Sequence, residues 1–596
     1  MSQERGGTMT AFQWFLSYLK EYRFRMIFGL ILVVIASILM IINPYISGII
    51  VDRVIKGGEY TILPILLVIL IITTTGRAGI RFTFLMGFER ASQGTIYALR
   101  EAVYKRLMEE DFRFYNNNRT GDLMSRQTGD MDAVRHFVSH VIYFSTENVF
   151  VFILALFMIF TVNVKLAICM LIVLPFTLYV TISQTKHIKP AFEKIRQCFS
   201  SLNAFAQENI SGNRVVKAFA KEDYETKKFN KENDAYRDSQ IGASNVFQKY
   251  IPIYEFLSNL LTIILMVVGG YMVIHGEMTI GKWVTVNGYL WMLNSPLRQA
   301  GWIINDIQRF FTSIEKIYAT YSEEPHIKEP NEPVKKRRLK GSVEFKNVDY
   351  FAFDDVILRD INFKVEPGQT VGIIGATGSG KSTLINLICR FYDVSKGEVL
   401  IDGINVKDLN LNTIRGNIGI AMQDVFLFSD TIEGNIAYGN PDCSFEEVVK
   451  AAKIANAHDF IMETEEGYDT IVGERGMGLS GGQKQRISLA RAILKDPSII
   501  ILDDTTSAID METESQIQKE LTQVANNRTV FIIAHRISSI MDADQIFVLD
   551  NGRIVERGNH ESLLAQKGYY YTVFNHQYGE FDQFKKAHEK RGRGNK

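Results

Sequence analysis

The run Thr370 to Ile374 leads into Gly375-Ala-Thr-Gly-Ser-Gly-Lys381-Ser382, and a helical pattern with Leu384, Leu387 and Ile388 follows. Strand, glycine-rich loop and helix in that order make a phosphate cradle. Glycines let backbone N–H groups turn inward around a β-phosphate, and the helix N-terminus adds the positive end of its dipole. Lys381 then reaches the β- and γ-phosphates and the Ser382 hydroxyl can ligate Mg2+. Gly375, Thr377, Gly378, Ser379, Gly380, Lys381, Ser382 and Thr383 are the candidate nucleotide residues of this loop.

A second apolar strand, IIILDDTTSAID at 499–510, ends on two carboxylates. Downstream of a phosphate loop, such a strand sets Asp503 beside the Mg2+, and its neighbour Asp504 stands where a carboxylate orients the water attacking the γ-phosphate. Between the two motifs lies LSGGQKQRISLARAIL at 479–494. Ser480, Gly481, Gly482 and Gln483 open a helix there, a second anion-binding N-terminus. One nucleotide site does not need two such ends, so two domains of this kind are expected to face each other, each completing the other's site.

These motifs need a scaffold and an address. The 596 residues exceed one ordinary domain, and 66 basic against 66 acidic residues give no sign of a nucleic-acid partner. Apolar residues are segregated: six runs near 26–50, 62–84, 138–161, 165–185, 251–275 and 282–305 are long enough to cross a ~30 Å hydrocarbon layer as helices. TVNVK alone divides the third from the fourth, which predicts a tight hairpin. The first run is too long for a signal peptide, and no small-residue cleavage site follows it. The stretch before it reads as an amphipathic helix on the membrane surface, with Phe12, Phe15, Leu16 and Leu19 on one face.

The long loops 86–137 and 186–250 are rich in Arg and Lys, which puts them, both termini and the soluble part in the cytoplasm. Four cysteines without paired spacing, Cys169, Cys198, Cys389 and Cys443, suggest neither disulfides nor a metal cluster. The Pro-containing, basic stretch 323–341 reads as a linker. The expected organisation is a six-helix transmembrane domain at 1–322, that linker, an α/β P-loop nucleotide-binding domain at 342–580 and a charged tail at 581–596.

The phosphate loop, LSGGQ, the ILDD strand with SAID after it, and AHR at 534–536, behind six membrane runs, resemble an ABC exporter half-transporter with the membrane domain first. The resemblance covers nearly the whole chain. It implies two chains that sandwich two ATP molecules, each between one chain's phosphate loop and the other's LSGGQ. It also implies roles by position: Gln423 as the lid glutamine at Mg2+, His535 as the switch histidine at the γ-phosphate, and Asp510 as a link between the sites. Phe353 is the favoured adenine-stacking aromatic, with Tyr350 and Phe351 as alternatives in VDYFAFDD. GERG at 473–476 and the loops 114–135 and 202–229 resemble segments that couple the domains.

At position 504 the sequence departs from the family, whose strong hydrolysers carry Glu. Asp is one methylene shorter, and a displacement of ~1 Å costs phosphoryl transfer on the order of 100-fold. The resemblance therefore implies a weakly hydrolysing site in a heterodimer, ahead of a homodimer. An amphipathic drug-like or lipidic substrate, carried out through a bacterial cytoplasmic membrane, is the expected cargo. A homodimeric lipid flippase and an ATP-binding regulator without transport are the alternatives. Polar and aromatic groups inside the runs, Glu147, Glu255, Asn259, Asn287, Asn294, Phe256 and Trp291, are candidate substrate contacts, whereas Arg77 and Arg81, toward the cytoplasmic end of the second run, are expected to snorkel or to lie beyond the bilayer.

Overall fold

A computed structural model describes residues 9–336, 338–352, 355–504, 516–517, 520 and 528–579. The chain forms two compact units: Met1–Glu109 with Asn118–Glu324 in one, and Glu110–Asn117 with Pro325 onward in the other.

The first unit is helical. Five continuous helical stretches, Ala11–Lys56, Tyr60–Glu109, Thr120–Val162, Val164–Ser211 and Glu222–Ile274, are long and apolar enough to cross a membrane. The sixth apolar run lies in the helix Ile280–Ser322, whose Asn287, Asn294, Arg298 and Gln299 lower its hydropathy. Its Val286, Tyr289, Leu290 and Leu293 are buried among the other helices, so little of its surface has to match lipid. Asn163 makes the tight hairpin: it leaves helical geometry and its side chain accepts from Leu166 N at 3.1 Å, capping the next helix.

Two long-range contacts fix the helix Ile280–Ser322. Asp52 accepts from Gly281 N at 2.7 Å and from the Thr279 hydroxyl, so a carboxylate 229 residues away satisfies its first turn. Tyr289 donates its hydroxyl to Ile41 O at 3.0 Å. The amphipathic helix forms at Ala11–Leu19, but its face is not left to lipid alone. Phe15 packs edge-on against Phe310 at 5.1 Å and Trp14 lies 4.8 Å from Tyr321, both fully or almost fully buried, while Phe12 and Leu16 stay exposed.

Among the described residues, the second unit carries ten strands. An antiparallel sheet runs in the order β2 (Asp355–Val365), β1 (Val343–Ala352), β4 (Lys396–Ile401), β5 (Ile404–Asn405). A six-stranded sheet runs β10 (Arg553–Gly558), β9 (Gln545–Asp550), β3 (Thr370–Gly375), β8 (Thr529–Ile533), β7 (Ile499–Asp503), β6 (Ile418–Ala421). Five of these six are parallel, and only β10 is antiparallel to its neighbour. Every residue of β7 and β8 is buried, as expected of strands covered on both faces. This unit also takes in the short helix Phe112–Asn117 from between membrane helices: Phe112 lies 4.6 Å from Phe391, and Asn116 Nδ2 donates to the Tyr392 hydroxyl at 3.1 Å.

Candidate nucleotide site

Strand register brings the phosphate loop and the paired carboxylates to one edge. Ile373 of β3 is opposite Ile533 of β8, which is in turn opposite Asp503 of β7, so β7 and β8 end level with Ile373 and β3 runs on two residues to Gly375. Ala534 N donates to Ile373 O at 3.2 Å and Asp504 N to Ile533 O at 2.9 Å, carrying the alignment one residue past β8 and β7. Carboxyl ends of parallel strands are where α/β folds bind ligands.

After β3 the chain turns through Gly378 at φ 81° and Gly380 at φ 100°, conformations that a side chain rarely adopts. A Cβ on Gly380 would also fall 2.7 Å from Leu358 Cδ2 of β2. The helix Lys381–Ile388 starts there. Lys381 is 7% exposed, and its Nζ donates to Gly375 O at 3.0 Å and Ala376 O at 2.9 Å. Burial lowers its pKa, and the charges of Asp503 and Asp504 oppose that shift. Among the described residues, Ser379 Oγ is buried without a hydrogen-bond partner. A glycine turn with positive φ, a buried ammonium and an unpaired hydroxyl suit a polyphosphate.

Asp503 and Asp504 are 8% and 9% exposed. Burial raises the pKa of Asp503; its hydrogen bond with Ser382 lowers it, Asp504 raises it, and Lys381 and His535 lower it. Ser382 and Asp503 therefore offer two adjacent hard oxygen donors of the kind Mg2+ takes. Asp504 stands at φ 48°, and its carbonyl accepts from Gln485 Nε2 at 3.5 Å.

Gln423 is exposed two residues beyond β6, whose Ala421 is opposite Leu502, so it lies at the same edge. His535 is exposed two residues beyond the end of β8, close enough to Asp503 to act on its charge. Ser480 is the N-cap of the helix Gly481–Leu494. Its Oγ accepts from Gln483 N at 3.3 Å and its own N–H donates to Gln483 Oε1 at 2.8 Å, so both side chains form a capping box. Among the described residues, no hydrogen bond joins Ser480, Gly481, Gly482 or Gln483 to the phosphate loop. Phe353 and Asp510 lie outside the described residues.

Sequence reasoning passed over Gln485 and Arg491 on that helix. Arg491 donates to Phe426 O at 3.1 Å and to Asn435 O at 2.7 Å, anchoring the segment after Gln423. A basic residue in a helix carries no such signal by itself. In the membrane unit, Arg77 is paired with Glu147 at 3.6 Å and is one-quarter exposed, so its side chain has a carboxylate partner within the helical unit. Glu255, Phe256, Asn259, Asn287 and Trp291 are exposed on the protomer, while Asn294 Nδ2 donates to Ser258 Oγ at 3.0 Å.

Membrane helices joined to a P-loop unit of this topology define an ATP-driven transporter. Residues 26–297 match the ABC transporter transmembrane region, and residues 358–507 match the ABC transporter family. The chain is 38% identical over 591 residues to the uncharacterized ABC transporter ATP-binding protein YknU of Bacillus subtilis (strain 168), covering 98% of this chain and 100% of that one. It is 37% identical to an ATP-dependent lipid A-core flippase of Syntrophus aciditrophicus (strain SB), across 91% of this chain and 90% of the relative. A solved bacterial Atm1-family ABC exporter with ATP bound aligns with a TM-score of 0.79 at 30% identity, covering 93% of this chain and 98% of its own. The chain belongs to the ABC transporter family. Within it the chain is an exporter half-transporter, one helical transmembrane domain followed by one ATP-binding domain, and an ATPase coupled to transport.

Proposed function

We propose that this chain is one subunit of a heterodimeric exporter that moves amphipathic, drug-like or lipidic molecules out of the cytoplasm or inner leaflet of a bacterial cell membrane. The observation that carries the reading is the meeting of buried Lys381, Asp503 and Asp504 at one strand edge of a chain whose other unit is built of membrane helices. Lys381 and the loop amides of residues 375–383 hold the ATP phosphates. Ser382, Asp503 and Gln423 hold Mg2+, which supplies charge neutralisation at the γ-phosphate. Asp504 orients the attacking water, and His535 contacts the γ-phosphate. Phe353 stacks on adenine and Asp510 links the two sites. Ser480, Gly481, Gly482 and Gln483 serve the partner chain's ATP.

Both termini and the ATP-binding domain, 342–580, face the cytoplasm behind the 323–341 linker. Exposed Glu255, Asn259 and Asn287 on membrane helices support a polar path between two chains, since such groups are expensive against lipid. The flippase relative supports a lipid-like cargo. Asp504, short of a Glu, supports a weakly hydrolysing site on this chain and a partner that supplies Glu at the other. Native mass spectrometry of the complex drawn from its own membranes tests the assembly. A second ABC chain of similar size is expected, with ATP-dependent movement of a labelled amphiphile in reconstituted vesicles. A dimer of this chain alone would overturn the heterodimer, and ATP turnover without movement would overturn the exporter.

A further inference from the structure

The segment that carries His535 is held from a distant part of the chain. Gln577 Nε2 donates to His535 O at 2.8 Å, and Gln577 Oε1 accepts from Ile537 N at 2.9 Å. One side-chain amide thus bridges the two backbone groups that flank Arg536, in the manner of a short strand partner. The amide can satisfy both only in this orientation, because its NH2 must meet the carbonyl and its oxygen the N–H.

Both sides of the bridge are anchored. Ala534 N is tied to β3 through Ile373 O, and Ile537 is fully buried. On the other side, the Glu556 carboxylate accepts from Tyr569 N and, at 3.1 Å, from Tyr570 N, starting the helix Tyr569–Phe574. Tyr570 is fully buried and hydrogen-bonds His560 Nδ1 at 2.7 Å, and Phe574 stacks on Tyr578 at 5.0 Å. Gln577 sits in the turn that follows. By contrast, the His535 side chain is exposed, so where its imidazole points depends on the backbone beneath it.

We propose that Gln577 is a positioning residue for His535: its amide fixes the backbone at 535–537 so that the imidazole meets the γ-phosphate. The inference rests on the reading of His535 as the γ-phosphate contact. Gln577 touches no nucleotide and acts only through that loop.

A γ-phosphate contact distinguishes ATP from ADP, and a merely structural residue does not. The affinities of the full complex for ATP and for ADP, with Mg2+, are measured by competition against a fluorescent nucleotide for Gln577→Ala, His535→Ala and the double variant. Gln577→Ala is expected to cut the ATP-over-ADP preference about tenfold, the order of one hydrogen bond to a charged group, with ADP affinity unchanged. The double variant is expected to match His535→Ala, because residues acting as a unit are not additive. Equal loss of ATP and ADP binding, or no change in either, overturns the positioning role. His535→Ala without effect on the preference sinks the reading of His535 itself, whereas an effect of His535→Ala without one of Gln577→Ala sinks only the clamp. Should the alanine variant fail to fold, Gln577→Glu, which keeps the acceptor for Ile537 N but loses the donor to His535 O, is read by the same criteria.

Discussion

Asp504 N donates to Ile533 O at 2.9 Å, which pins the second carboxylate of the pair to the neighbouring strand in a left-handed conformation, φ 48°. Asp tolerates that conformation better than Glu because its short side chain can bond locally. Asp504→Glu therefore carries opposing effects. The longer carboxylate is expected to raise ATP hydrolysis at this chain's site by about tenfold or more, since catalysis here rests on placement. The same variant is expected to lose about 1 kcal/mol of stability to backbone strain. Single-turnover hydrolysis and thermal unfolding of the same preparation check both; a slower site in a fully folded variant would remove Asp504 from the water-orienting role.

Lys381 is buried against its own loop's carbonyls, so its ammonium is preorganised for the phosphate contact proposed for it. Lys381→Ala is expected to lower ATP turnover at this site by at least about 100-fold, the order seen when one preorganised charge-stabilising donor is lost. Trapping of a photoreactive ATP analogue on this chain should fall in parallel. Labelling at parental levels would mean that the loop binds nucleotide without its lysine.

Burial raises the pKa of Asp503 above the ordinary carboxylate value. The folded state then holds a proton more tightly than the unfolded chain. The stability this contributes is complete below the unfolded pKa of 3.8 and is lost as pH rises through the folded value. Without Mg2+, Asp503→Asn is thus expected to melt higher than the parent at pH 7.5, with the gap closing toward pH 4. Mg2+ with ATP should stabilise the parent more than the variant, because the ion needs the carboxylate charge. Melting curves at three pH values, with and without Mg2+, give the answer, and a gap that widens on acidification would contradict the sign.

Local order made the chemistry legible. Lys381 follows its glycines within six residues and Asp503 ends an unbroken apolar strand, so spacing alone marks both as candidates, and the structure buries both beside the ends of β3 and β7. The tight hairpin at Asn163 was legible for the same reason, since its cap bond spans three residues. Bonds that span the chain were not: Asp52 with Gly281 and Gln577 with His535 join residues whose local patterns say nothing of each other. The helix Ala11–Leu19 shows the limit differently. Its apolar stripe was evident, but an apolar face does not say whether lipid or Phe310 covers it. At 480–483 the residue types gave the helix start, and geometry added that Ser480 and Gln483 use their side chains on each other.

Arg77 and Glu147 test whether a charged pair inside the membrane unit serves structure or cargo. The two lie 3.6 Å apart, with Glu147 12% exposed, and Arg77 Nε is buried with no hydrogen-bond partner among the described residues. Removing one partner of such a pair leaves the other uncompensated, at about 3 kcal/mol, whereas replacing both by apolar groups is far milder. Glu147→Ala is accordingly expected to lower the melting temperature of the complex clearly, and Arg77→Met with Glu147→Leu to restore most of it. If the pair is structural, the restored double variant keeps substrate-stimulated ATPase. If Glu147 reads the cargo, the double variant is stable yet unstimulated, because stability then returns without the charge that the substrate recognised.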